Sequence, residues 1–347
     1  MMCTSIFKNC YFSDLENHLV KIVNTQTATI ESTLIINNTG QALHIEADDV
    51  YIANSKFTRN DGGAVDIESN NTLIINTEFN YNSAVSRGAL QVVSGTVVIT
   101  WCNFTNNIAS QDGGSIHVVS GSVSISNSEL TNNIADYGGA IDVYSGSLSI
   151  SNSELANNSA DYGGAIDVVS GSMSISNSEL THNSAVCYGG AIDVVSGSVS
   201  ISNSELTNNS AGYGGAIDVV SGSVSISNCE LKNNRADSGG AIYAGSGNVF
   251  ISNSELTKNS ADIGGAIYVD SGHVIVSNSE LRNNRADSGG AIYAGSSNVS
   301  VSNSELTNNR ARDRGVIYVD SGETSVFNST LANNSVDLGM IYVSRSS

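Results

Sequence analysis

Four aspartates, Asp142, Asp167, Asp193 and Asp218, stand 25 or 26 residues apart. At the equivalent place in the repeats that follow stand five tyrosines, Tyr243, Tyr268, Tyr293, Tyr318 and Tyr342. Upstream the same position holds His44, Asp66, Gln91 and His117. A second acidic series runs Glu129, Glu154, Glu179, Glu205, Glu230, Glu255, Glu280, Glu305. Carboxylates aligned ~4.8 Å apart repel by ~0.9 kcal/mol per pair in bulk water, and salt weakens this further. That is tolerable if the side chains point outward and splay into solvent, and a cation would remove it. Calcium takes about six to eight oxygens, some of which paired carboxylates and serine hydroxyls can supply. The expectation is a solvated acidic face, with weak Ca2+ binding along Asp142, Asp167, Asp193 and Asp218 as the alternative and no other cofactor. Aligned phenols offer amphipathic contact area to a sugar or a partner protein. Tyr243, Tyr268, Tyr293, Tyr318 and Tyr342 are therefore the candidate partner surface, although the expectation is that each ring packs on the ring below and protects the coil.

Catalysis is harder to find. Acid–base chemistry needs groups of different pKa held around one bond, and the repeats are too uniform to supply irregular loops for them. Basic residues such as Arg59, Arg87, Arg235 and Arg285 are few and scattered. No residue is assigned a catalytic role, and the chain reads as a non-enzyme. Cys10, Cys102 and Cys229 share one repeat position several turns apart, roughly 19 Å or more at ~4.8 Å per turn, beyond disulfide reach. A Cys3–Cys10 pair stays open, and Cys187 sits in a one-residue insertion. Asp and Glu number 33 against 14 Lys and Arg, for a net charge of −19. Such a surface argues against nucleic acid or an anionic membrane as partner. No apolar run is long enough for a spanning helix. The start, MMCTSIFKNCYFSDLEN, shows no secretion signal and reads as the middle of a repeat. The end, GMIYVSRSS, also stops within one, so a fragment of a longer protein or an incomplete gene model is expected.

What must align these residues is the repeat itself. GGAIDVVSGSVSISNSELTNN recurs almost letter for letter. Its register is marked by an apolar column: Phe12, Ile35, Phe57, Phe79, Phe104, Leu130, Leu155, Leu180, Leu206, Leu231, Leu256, Leu281, Leu306, Leu331, spaced 22 to 26 residues. Asn stands three residues later in all but the first, and a second Asn column lies three residues earlier, broken at Ser32 and Trp101. Within a repeat the period is two. Val123 and Ile125 alternate with Ser122, Ser124 and Ser126, and Ile141 and Val143 flank Asp142. Short alternating runs broken by Gly and Asn mean strands and turns. A fixed period of this length means a solenoid in which each unit buries its apolar face against its neighbours.

The fold predicted is all-β, a right-handed, single-stranded parallel β-helix of about 14 coils of roughly 25 residues. The hand rests only on the general preference for right-handed crossovers. One solenoid spans 1–347, with shorter, degenerate coils over 1–78 and regular ones over 79–347. The ~70 inward Val, Ile and Leu side chains form the core at ~1.5–3 kcal/mol each before entropy. Asn tolerates a left-handed backbone, and stacked amides can bond from coil to coil. Asn107, Asn133, Asn158, Asn183, Asn209, Asn234, Asn259, Asn284, Asn309 and Asn334 are the expected structural ladder. The Gly pair permits positive φ or a close backbone approach.

With the register set, FTRN (Phe57 to Asn60), FNYN (Phe79 to Asn82) and FTNN (Phe104 to Asn107), together with GGA-Ile/Val from Gly62 to Gly289, resemble the repeats of the chlamydial polymorphic outer-membrane proteins and their relatives. The likeness covers nearly the whole chain, with Leu replacing Phe in later coils, as in LTNN. It implies a β-helical passenger, exposed on a cell surface or secreted, that adheres to a host or matrix protein or to a glycan surface. The signal peptide and C-terminal barrel of those proteins are not seen here. A polysaccharide lyase or hydrolase, and a cation- or ice-binding solenoid, are the alternative readings.

Overall fold

The computed structural model describes residues 3–16 and 20–344. Met1, Met2 and Asn17 of the starting stretch and the last three residues of the closing one lie outside it. The chain divides into two compact units, residues 1–172 and 173–347.

Each unit is a parallel β-solenoid of two main sheets, and the alternation of the sequence explains both. In the second unit five successive coils begin with an 11-residue strand: Ile192–Ser202, Ile217–Ser227, Ile242–Ser252, Ile267–Ser277 and Ile292–Ser302. In the first, Leu43–Ala53, Val65–Ile75 and Leu90–Thr100 do the same. A three-residue strand follows each, for example Glu129–Thr131 and Glu154–Ala156 in the first unit, and Glu205–Thr207 and Glu230–Lys232 in the second. A third face is mostly single bridges. Among the described residues the pairing is parallel and, apart from a few bulges, in phase: Leu130 faces Leu155, Leu206 faces Leu231, and Ile125 faces Ile150. Like thus packs on like. Leu130, Leu155, Leu206 and Leu231 are fully buried, and the rings of Phe57, Phe79 and Phe104 stack at 4.9 and 4.6 Å.

Two left-handed corners close every coil. The first falls three residues before the apolar column, as at Asn127 and Asn152 (φ 49°), and the second two residues after it, as at Asn132 (φ 58°) and Asn157 (φ 57°). Asn adopts this region at little cost because its short amide bonds locally. The turns on the third face end in the Gly pair, whose members have separate reasons. Gly214 has φ +60°, whereas a Cβ on Gly215 would stand 2.1 Å from the carbonyl oxygen of Gly240 in the next coil.

The chain makes about 13 turns of roughly 25 residues, not 14, because 14 column residues bound 13 complete turns. The shorter early coils have a local cause. Asn38 to Leu43 and Asn60 to Val65 are five-residue steps, whereas Asn82 to Leu90 and Asn133 to Ile141 take eight. The whole difference lies in the turn before the long strand.

Candidate functional site

Asp142, Asp167, Asp193 and Asp218 do not splay into solvent: their exposures are 4, 2, 2 and 0 %. Alternation does put them on the outer side of the strand, between buried Ile and Val. However, the turn before the glycine pair carries a tyrosine over that face in each of these coils. Tyr137 and Tyr162 stack at 5.0 Å, and Tyr188 and Tyr213 at 5.2 Å. The buried column divides by partner. In the first unit Asp142 Oδ2 lies 2.7 Å from His117 Nδ1. In the second, among the described residues no fixed donor reaches either Asp218 oxygen. Burial, then the neighbouring charge of Asp193 and a hydrogen bond with it, push the Asp218 carboxyl up to about 9. At neutral pH the pair therefore holds a proton. Among the described residues no three His, Cys, Asp or Glu side chains converge as metal ligands.

Tyr243, Tyr268, Tyr293, Tyr318 and Tyr342 form a continuous ring stack with centroids 4.8 to 5.5 Å apart. Tyr318 is only 1 % exposed, the three before it are half-buried, and Tyr342 shows most surface. Burial above all raises the phenols of Tyr243, Tyr268, Tyr293 and Tyr318, Tyr243 to about 12. Tyr213, edge-on to Tyr243 at 5.3 Å, marks where the row of rings crosses from turn to strand. Where the strand position becomes Tyr, the turn position becomes Ser238, Ile263, Ser288 and Arg314. One phenol per coil fills the gap between turn and strand, from one side or the other. Arg314 Nη1 donates to the Tyr318 hydroxyl at 2.7 Å.

Asn107, Asn133 and Asn158 in the first unit, and Asn183, Asn209, Asn234, Asn259, Asn284, Asn309 and Asn334 in the second, carry cross-coil amide bonds. Asn133 is typical. Its backbone N and Nδ2 donate to Asn158 Oδ1 at 2.9 and 3.0 Å, and its Nδ2 also donates to the Phe104 carbonyl at 3.0 Å. A parallel ladder escaped sequence reasoning, although a Ser or Thr two residues before the apolar column was its signal. Ser128 N donates to Ser153 Oγ at 3.1 Å, and Ser128 Oγ donates to the Ser126 carbonyl at 2.8 Å. Cys102 and Cys229 replace the hydroxyl in this ladder, with backbone N–H donated to Ser128 and Ser254 Oγ. Burial raises both thiols, Cys102 to about 11. All five cysteines are free, including Cys3 and Cys10.

The glutamates remain outside. In the second unit Glu179, Glu205, Glu230 and Glu255 line an open trough of about 700 Å3 with the corner residues Asn177, Asn203, Asn228 and Asn253. Lys232 Nζ reaches Glu230 at 2.9 Å, and that bond and charge hold its ammonium above the usual range.

Stacked parallel coils, in-phase columns and internal ladders agree with the comparisons. The sequence model of the right-handed β-helix region matches residues 2–160 and 164–336. The chain belongs to the right-handed β-helix family. No curated protein and no solved structure matches this β-helix. Its polar side chains sort into three populations: those bonded inside the coil stack, those sealed under a phenol, and those left in the Glu–Asn trough.

Proposed function

We propose that this β-helix is a non-catalytic, adhesin-like repeat protein, displayed on a cell surface or secreted, that binds an extended host or matrix protein or a glycan surface. The observation that carries this is the trough, where one Asn–Glu pair recurs per coil from Asn177 to Glu255. A surface of identical rungs suits a long partner engaged at many points, where linked contacts raise avidity without new chemistry. The GGAI and FxxN motifs, like those of the chlamydial outer-membrane repeats, support the same reading. The burial of Asp142, Asp167, Asp193 and Asp218 supports a non-catalytic role, because these carboxylates are withheld from a large substrate.

The purified chain should bind immobilised host cells, matrix proteins or glycans in a surface-plasmon assay. The double variant Glu205→Lys/Glu230→Lys should lose most of that binding, while Tyr243→Ser, within the ring stack, should lose less. Equal binding by the charge-reversed double variant would displace the trough, and no binding to any surface would remove the adhesin reading.

A further inference from the structure

We propose that the first unit holds a binding pocket for one neutral hexose residue, built where the coil length steps up. Below the step, the turns at Gly40–Gln41 and Gly62–Gly63 are short. Above it, the longer turn through Ala84, Val85, Ser86 and Arg87 overhangs them. The overhang encloses about 360 Å3, lined among others by Gln41, Val65, Asp66, Val85, Arg87 and Gln91. A space of this size falls in the range of small-molecule sites. Its floor is bare backbone: a Cβ on Gly63 would stand 3.3 Å from the Arg87 carbonyl oxygen.

The polar groups converge with unused capacity. Arg87 Nη1 is held by Asp66 Oδ2 at 3.4 Å and by Gln91 Oε1. The guanidinium side chain is still 45 % exposed, with further N–H groups to offer. Gln41 Nε2 is shut off from water and meets no acceptor. A buried donor left so costs ~1–3 kcal/mol, and turning the Gln41 amide into the pocket to meet a ligand oxygen would relieve it. Asp66, 15 % exposed at its side chain, supplies acceptors. His44 Nδ1 is 3.9 Å from Asp66, and its Nε2 is 2.8 Å from Glu46.

Carboxylate, amide and guanidinium together serve neighbouring hydroxyls, each of which both donates and accepts. Val85, 71 % exposed, gives an apolar edge for the C–H face of a ring. Inside the pocket the charges of Arg87 and Asp66 cancel, which favours a neutral ligand over an acidic or basic one. The pocket is remote in sequence from the trough and does not depend on the surface-binding role.

Calorimetric titration of the purified chain with D-glucose, D-galactose and D-mannose tests it, with D-glucuronate and D-glucosamine as charged counterparts. At least one neutral hexose should bind saturably and more tightly than either charged sugar. Gln41→Ala should weaken it by about tenfold. Val85→Trp, at a site 71 % exposed and so harmless to folding, should abolish it, with the melting curve of the parent chain. Absence of saturable binding by all three hexoses overturns the proposal. So does tighter binding of a charged sugar, or affinity unchanged in both variants.

Discussion

At the scale of single residues, asparagine does two jobs in each coil that composition cannot separate. The corner asparagine Asn278 holds φ 49°, so Asn278→Ala should cost about 1 kcal/mol, because Ala keeps the Cβ strain of the left-handed region without an amide to offset it. Asn259 is fully buried and accepts from Asn234 N and Nδ2 at 3.0 and 3.1 Å. Asn259→Ala leaves Asn234 N–H and the Leu231 carbonyl without these partners and Asn234 Nδ2 with only the Leu206 carbonyl, and should cost about 3 kcal/mol. Urea denaturation of the two variants ranks them, and a larger loss at Asn278 would contradict the ladder. The Asp193–Asp218 pair carries a pH dependence. The folded chain keeps a proton on Asp218 up to about 9, while the unfolded chain releases it in the ordinary carboxylate range. The folded state binds more protons between those values, so this pair makes stability fall as pH rises through that window and level off above it. Asp218→Asn should flatten that slope in melting curves from pH 5 to 9. An unchanged slope would mean the carboxyl ionises freely.

At the scale of the element, turn and strand share one gap, and the ring filling it changes side between Tyr213 and Tyr243. Tyr213→Ser alone uncovers Asp218 and should destabilise by about 2 kcal/mol, the burial lost with one aromatic side chain. Adding Asp218→Tyr recreates the pairing seen at Ser238 and Tyr243, and should recover most of the loss in thermal melting. Failure to recover would mean that the two positions are not exchangeable partners. This exchange was legible in the sequence, since Tyr precedes the glycine pair only in the four coils with Asp after Ile. It went unread because period-two alternation assigns a side chain to a face of its strand but says nothing of what folds over that face. The same blindness placed the aspartates in water. The Ser and Thr ladder was missed for a related reason: serine looks like ordinary solvent-facing filler until its carbonyl and N–H partners in adjoining coils are known.

At the scale of the whole molecule, stacking in phase makes the chain modular. Residues 189–213 span one 25-residue period, and their removal joins Tyr188 to Gly214 in an unaltered motif. That deletion should keep the circular dichroism of the parent and a cooperative melt, because each coil touches only its neighbours. Deleting residues 189–201 instead breaks phase, sets apolar columns against polar ones, and should unfold the second unit. Equal stability of the two deletions would refute phase-locked stacking.

The all-β solenoid, its period, its apolar and asparagine columns and its glycine corners were determined by sequence alone. Each is a local pattern repeated at fixed spacing, and identical coils leave only one way to stack. Tertiary structure decided which polar columns meet water. It buried Asp142, Asp167, Asp193 and Asp218, left the glutamates in an open trough, and opened a pocket beside Arg87 where a longer turn meets a shorter one. The reason is physical: burial belongs to what crosses over a residue from elsewhere in the chain, and the spacing of that residue's own strand carries no record of it.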